Sequence, residues 1–417
     1  MAALNSGDIA WMLISSALVL LMTPGLAFFY GGLVKRKNVI NTIMSSIFVM
    51  GLASVMWMFV GYSLSFSGDI GGIIGNLNWF ALNGVDALPG PYAGTIPNLC
   101  FAIYQMMFAI ITPALITGSV VERMKFSSLF VFVAVWSLCV YYPLAHMIWG
   151  GGFLQQLGVA DFAGGFVVHI SSGVSALILA VILGKRTNIE KATYHPHNVP
   201  FVLLGAALLW FGWFGFNAGS AGAANEIAVR AFMNTNMSAA SALLSWMLVE
   251  KIKNGKPTLV GTSTGFVVGL AAVTPAAGFI PVWASVVIGL VVSPLCYYFI
   301  THVKPKFGYD DALDTFGCHC IGSTWGVIAT ALFAQITLNG SLKWDGLFFG
   351  GGFSLMLSQL LGVGVTVVIS AVGTLFAVWI AKLVTKQIRV SVRDESLGLD
   401  ISEHGESAYP AFNGMDN

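Results

Sequence analysis

Eleven apolar runs, each near or above the roughly 20 residues a helix needs to cross a bilayer, constrain this chain more than any other feature. They fall at about 8–33, 39–66, 98–121, 127–149, 162–184, 199–219, 227–250, 258–277, 281–302, 314–337 and 346–384. Of the 417 residues 57% are hydrophobic and only 9% charged, against about 25% charged in a soluble domain. A membrane barrel would instead show segments of about ten residues with alternating polarity. The expected class is therefore an all-α polytopic membrane protein. The first run has no basic stretch ahead of it, so it reads as a span and not as a cleavable leader.

The connections alternate sharply in charge. Those after odd-numbered runs, together with the C-terminal end, hold every Lys and Arg among the 19 except Arg230 and Lys343. By the positive-inside rule the N-terminus lies outside and the C-terminus in the cytoplasm, as in a multi-pass protein of the cell (inner) membrane. The last run is long enough for two spans broken at Gly362 and Gly364, but that would carry the basic tail outside. One long tilted helix fits the charges better. Eleven spans then divide into two inverted five-helix repeats plus that helix, with a path where the halves meet near the midplane.

His169 lies in the fifth run (DFAGGFVVHISSG) and His319 in the tenth (DALDTFGCHCIGS). An ionisable group deep in a span is costly and marks a functional site by default; the alternative is a core histidine bonded to a carbonyl. Each follows an aspartate, Asp161 or Asp314. Asp161 suits an N-cap of the fifth helix, and Asp310, Asp311 and Asp314 suit the same work at the tenth. Trp149, Tyr104, Phe108, Phe216 and Ser220 gather at or toward the external ends of their runs. They form either an interfacial aromatic belt or a cage for a small cation, with ring faces and a hydroxyl as ligands.

The 48 glycines, in clusters such as WGGG and FGWFGFNAG, report close helix packing. Five cysteines at irregular spacing suggest no disulfide framework. Cys318 and Cys320 flank His319 but do not share a helix face with it, and no second cluster completes a metal site. No cofactor is expected, and a net charge of +1 gives no case for nucleic acid.

TPGLAFFYGGLV, YPLAHMIWGGG, DFAGGFVVHISSG, WFGWFGFNAGS, DDALDTFGCHCIGS and GLDISEHGESAYP together resemble the ammonium transporter/methylammonium permease/Rhesus superfamily. With Trp149 and the HGESAY tail present, the chain is most similar to the ammonium transporter (Amt) branch. The resemblance runs end to end, as a transporter domain over 1–385 and a cytoplasmic regulatory tail over 386–417. It implies a homotrimer in membrane lipid, with one pore per subunit, and no enzyme activity. It implies ammonium or methylammonium recruitment by Phe108, Trp149 and Ser220, with Tyr104 near the mouth, and a Phe108–Phe216 gate. It makes His169 and His319 a bonded pair in the pore, Trp213 a lining residue below, and Asp161 a structural support. It also implies a tail in which Gly398, Asp400, Ser402, His404 and Gly405 belong to the family motif. The resemblance sets Ser402 where plant relatives carry a regulatory threonine, and it implies a PII-type signal protein as a partner at this face. The family commonly has small or aliphatic neighbours at the second histidine, where this chain has two cysteines. The competing readings are a passive channel for ammonia or carbon dioxide, an ammonium sensor, and a membrane enzyme with a histidine-bound haem or metal.

Overall fold

Backbone amides inside an apolar layer have no water to bond, so a chain built from apolar runs satisfies them within helices. The computed structural model, which describes residues 4–187, 189 and 195–409, is helical, with no strand among the described residues. In chain order the long helices are α1 (Ser6–Leu33), α2 (Arg36–Phe66), α3 (Asn98–Ser119), α4 (Phe126–Gln156), α5 (Gly165–Leu183) and α6 (Val199–Gly219). They continue as α7 (Glu226–Asn254), α8 (Leu259–Val273), α9 (Val282–Phe307), α10 (Phe316–Phe333) and α11 (Ser354–Thr385). Two short helices follow in the tail, α12 (Val392–Leu397) and α13 (Leu399–His404).

Among the described residues nine of these helices are long and apolar enough to cross a membrane. The seventh and eighth runs form helices that miss this measure. α7 carries Asn234, Thr235, Asn236 and Ser238 through its middle, and α8 has only 15 residues. The final run is one unbroken helix of 32 residues, passing through Gly362 and Gly364. Its first eight residues, 346–353, lie ahead of the helix.

Glycine sets the closest approaches. α1 packs along α6 more extensively than any other pair, and a Cβ at Gly205 would stand 2.1 Å from the Phe29 amide nitrogen. The two histidine-bearing helices meet in the same way. A Cβ on Gly173 of α5 would sit 2.6 Å from the Cys320 backbone nitrogen and Cβ of α10. A small residue at position 320 therefore serves the crossing, and cysteine fits it.

α5 and α10 also share an unusual local geometry. Each opens with a π-helical stretch, Gly165–Ile170 and Phe316–Ile321, and each stretch contains the histidine. The wider turn shifts side-chain direction relative to a regular helix, a device frequent at functional sites.

Candidate functional site

We call the end of the bundle that carries Trp149 the upper end, and the end that carries the tail the lower. At the upper end a cavity of about 330 Å³ is lined by Trp149, Asp161, Ser220 and Asn339, among others. Two buried aromatic rings lie beneath it. Phe108 and Phe216 approach to 4.3 Å between centroids, and Phe108 meets Trp149 edge-on at 5.9 Å.

Trp149 is fixed by its indole N–H, which donates to the Asp161 carbonyl at 2.9 Å. The Asp161 side chain accepts from the amides of Gly164 (2.8 Å), Gly165 (2.7 Å), Phe166 (2.8 Å) and Val167 (3.5 Å). These are the open donors at the start of α5, so one buried aspartate ties the α5 terminus, through its carboxylate, to the tryptophan turn, through its backbone carbonyl. Ser220 donates to the Phe216 carbonyl at 3.0 Å, which leaves lone pairs on its oxygen.

Tyr104 is placed differently from a mouth residue. It is 1% exposed, does not line the upper cavity, and its hydroxyl contacts the carbonyls of Gly215 and Phe216 and the Ser220 oxygen at 3.0, 2.8 and 3.2 Å. It stands behind Phe108 (5.1 Å between rings) and holds the end of α6 that carries Ser220.

Below the phenylalanines is a narrow cavity of about 20 Å³, lined by Phe216, His169, Trp213 and His319 among apolar side chains. That volume has room for about one water-sized molecule. The histidine rings lie 13° from parallel with their Nδ1 atoms 3.2 Å apart. Two facing Nδ1 atoms share one hydrogen, so one must donate and the other accept. With both rings neutral, the outward Nε2 atoms then offer one acceptor and one donor. His169 Nε2 is buried and has no hydrogen-bond partner among the described residues. Trp213 stacks on His169 at 5.5 Å and is held by its N–H on Thr274 Oγ1 at 2.9 Å. A lower cavity of about 220 Å³ follows, sharing Phe29, Tyr30, Val267 and His319 with the narrow one.

The three lower-end aspartates divide their work, and only one is a side-chain cap. Asp310 is gripped by Arg186, from Nε to Oδ2 and from Nη2 to Oδ1, both at 2.8 Å. Asp314 pairs with Lys304. Asp311 Oδ2 accepts from the Phe316 amide at 2.7 Å. The counterpart of Asp161 is thus Asp311 and not Asp314. Each stands eight residues before its histidine and caps a phenylalanine, Phe166 or Phe316, five residues on.

Burial pushes the Asp311 carboxyl up to about 6, offset in part by Lys304, and its Oδ1 has no hydrogen-bond partner among the described residues. Its folded-state value lies above the unfolded one, so the folded protein takes up a proton between about pH 4 and 6 and bears the cost of the charge above that. Asp311→Asn keeps an acceptor for Phe316 and removes that cost. Its melting temperature should rise by about 2–4 °C at pH 7.5, by a smaller amount near pH 5, and match the parent only near pH 3, below the unfolded-state value, measured by thermal unfolding across this range.

The tail packs on the lower face of its own chain. Asp400 Oδ1 accepts from the Asn41 amide (2.8 Å), Asn41 Nδ2 donates to His404 Nε2 (3.0 Å), and the Leu399 amide donates to Asn38 Oδ1 (2.8 Å). The Ser402 hydroxyl is turned back onto the Gly398 carbonyl at 3.0 Å. Gly398 (φ 108°) and Gly405 (φ 67°) occupy left-handed backbone that favours glycine, at the start and end of α13. Positions 410–417 lie outside the described residues. Among the described residues no group of three or more His, Cys, Asp or Glu is placed to hold a metal.

Three comparisons bear on what this arrangement is. The Ammonium Transporter Family model matches residues 10–409. An ammonium transporter of Bacillus subtilis is 48% identical over 406 residues, covering 97% of this chain and 99% of that protein. Among solved structures, Mep2 of Saccharomyces cerevisiae superposes with a TM-score of 0.86 at 34% identity, covering 94% of this chain and 89% of Mep2. A sensor Amt protein superposes with a TM-score of 0.86 at 28% identity, covering 95% and 98%. With a family model over nearly its whole length and nine helices fit to cross a membrane, this chain is a multi-pass membrane protein and a member of the ammonium transporter family.

Proposed function

We propose that the protein carries ammonium inward across the membrane, recognising it as a cation and passing it through the bundle as ammonia plus a relayed proton. The observation that carries this reading is the histidine pair, bonded through Nδ1 and set in a cavity with room for about one small molecule.

The upper cavity is the outer mouth. There the ring faces of Trp149 and Phe108 attract a cation by about 0.5–2 kcal/mol, and the Ser220 oxygen accepts one of its hydrogens. Carrying the charge further into an apolar path costs several kcal/mol or more, about 2.5 to above 10 for side-chain ions. Burial favours the neutral amine. Past the Phe108–Phe216 gate, the N–H bond breaks toward His169 Nε2, and the lone pair stays on ammonia. The hydrogen shared between the Nδ1 atoms shifts to His319, which releases its own Nε2 proton toward the lower cavity. Ammonia follows through the narrow cavity beside Trp213. Potassium interacts with the same rings but has no proton to give, so it stops at the gate.

In this reading all eleven helices span the membrane, as two inverted five-helix repeats with α11 added. The N-terminus is outside and the tail cytoplasmic. The working unit is a homotrimer with a pore in each subunit, and the tail face is where a PII-type signal protein docks. Recruitment has a direct test. Trp149→Leu removes the indole face and keeps an apolar side chain, so the half-saturation concentration for methylammonium uptake should rise by about tenfold, with the maximal rate within about twofold. An unchanged half-saturation concentration in a folded variant would exclude Trp149 as a recruiting group.

A further inference from the structure

His146 is fully buried one helical turn before Trp149. Its Nδ1 lies 3.1 Å from the Ser65 carbonyl oxygen, which can only accept, so Nδ1 carries a hydrogen. Its Nε2 lies 2.9 Å from Oδ1 of Asp69, a residue 77 positions earlier on the loop after α2. A carboxylate oxygen accepts, so this bond needs a second ring hydrogen, and His146 donates from both nitrogens as an imidazolium paired with Asp69. The same Oδ1 accepts from the Gly72 amide at 2.8 Å, and the Gly72 carbonyl accepts from the Phe153 amide at 2.9 Å. On the other side, the His146 carbonyl accepts from the amides of Gly150 and Gly152 at 2.9 and 3.0 Å. A Cβ at Gly150 would come within 2.1 Å of the Ser65 oxygen and 2.8 Å of His146 Nδ1, so this backbone lies directly on the imidazole. The turn bearing Trp149 is thus clamped from one side by the His146–Asp69 bond and from the other by Asp161.

We propose that Asp69 and His146 are positioning residues for ammonium recruitment, whose bond holds the Trp149 turn at the outer mouth and so sets affinity without setting the maximal rate. Neither residue lines the upper cavity, so neither touches the cation. Asp69 is the better site for a test, because it is half-exposed (side chain 45%) whereas His146 is a core residue whose loss would disturb folding. The inference rests on the reading of Trp149 as a recruiting group.

The experiment measures methylammonium uptake by the full-length protein in liposomes, for Asp69→Ala, Asp69→Asn and Trp149→Leu beside the parent. Asp69→Ala removes the partner of Nε2. A loss worth one hydrogen bond should raise the half-saturation concentration about five- to tenfold, with the maximal rate within about twofold. Asp69→Asn retains an amide that can bond Nε2 and should restore the half-saturation concentration to within about twofold of the parent. If Trp149→Leu raises the half-saturation concentration and Asp69→Ala does not, the positioning role is overturned and the recruitment reading stands. If Asp69→Ala and Asp69→Asn both lower the maximal rate and leave the half-saturation concentration unchanged, the pair acts on folding or passage and the proposal is wrong. If Trp149→Leu itself changes nothing, the recruitment reading falls and this inference falls with it.

Discussion

Replacing His169 and His319 together with alanine should produce a folded protein whose selectivity for ammonium over potassium is about 100-fold lower. The two imidazoles line the cavity of about 20 Å³, with rings 5.2 Å apart and both side chains buried. Alanine at both positions opens a space that water can enter, bounded above by Phe216 and below by Tyr30. A hydrated cation then meets no dry segment, and the acceptor needed to strip a proton is gone. Each lost hydrogen bond to a charged or charge-developing group is worth about 1.5–3 kcal/mol, so selectivity should fall by about 100-fold. The check is paired: ammonium and potassium flux into the same liposomes, with folding confirmed by thermal unfolding. Undiminished selectivity would place discrimination elsewhere, with the aromatic mouth the remaining candidate.

The second large effect is expected at Asp161. Its carboxylate serves four amides at the start of α5, and its own carbonyl holds the Trp149 indole. Asp161→Ala leaves those donors buried without acceptors, at about 1–3 kcal/mol each. The three bonds of 2.8 Å or less alone suggest a loss of several kcal/mol, enough to abolish accumulation of folded protein. Asp161→Asn keeps one oxygen but turns an amide nitrogen toward N–H donors. It should fold with a lowered melting temperature and transport slowly, because both the α5 terminus and the Trp149 turn shift. Thermal unfolding and methylammonium uptake measured together decide this. A folded, fully active Asp161→Ala protein would show that neither the α5 terminus nor the Trp149 turn depends on the carboxylate.

Much of this site is legible in the sequence because membranes make polar residues conspicuous. His169 and His319 stand out in apolar runs, and the cost of burying an ionisable group singles them out before any fold is known. Asp161 is visible as a cap because it opens its run directly. Asp311 is harder to find, since Asp310, Asp311 and Asp314 crowd the same loop. The signal was present as an offset: both capping aspartates precede their histidine by eight residues, with Phe166 and Phe316 three residues before it. Asp310 and Asp314 turn instead to Arg186 and Lys304, partners that only the fold brings near.

Tyr104 shows a different limit. Its position early in the third run puts it toward the external end and the family resemblance sets it near the mouth, but neither says whether an aromatic residue faces the cavity or the helix behind. Its hydroxyl finds carbonyls on α6 more than 100 residues away. The His146–Asp69 bond and the tail contacts to Asn38 and Asn41 are long-range in the same way. The seventh run is a further case. Its helix forms, but Asn234 and Thr235 are buried against other helices, so its polarity reflects packing inside the bundle. Asn234 donates to the carbonyls of Ala277 and Ile280, at 2.8 and 3.0 Å.

The most direct test of the transport mechanism is the current from the purified protein in liposomes on a capacitive electrode, recorded after a pulse of ammonium and after a matched pulse of potassium. Recognition as a cation with relay of the separated proton predicts a current with ammonium and none with potassium. A rise in pH inside the vesicles with no current would contradict it, since neutral ammonia alone would then be passing through the pore.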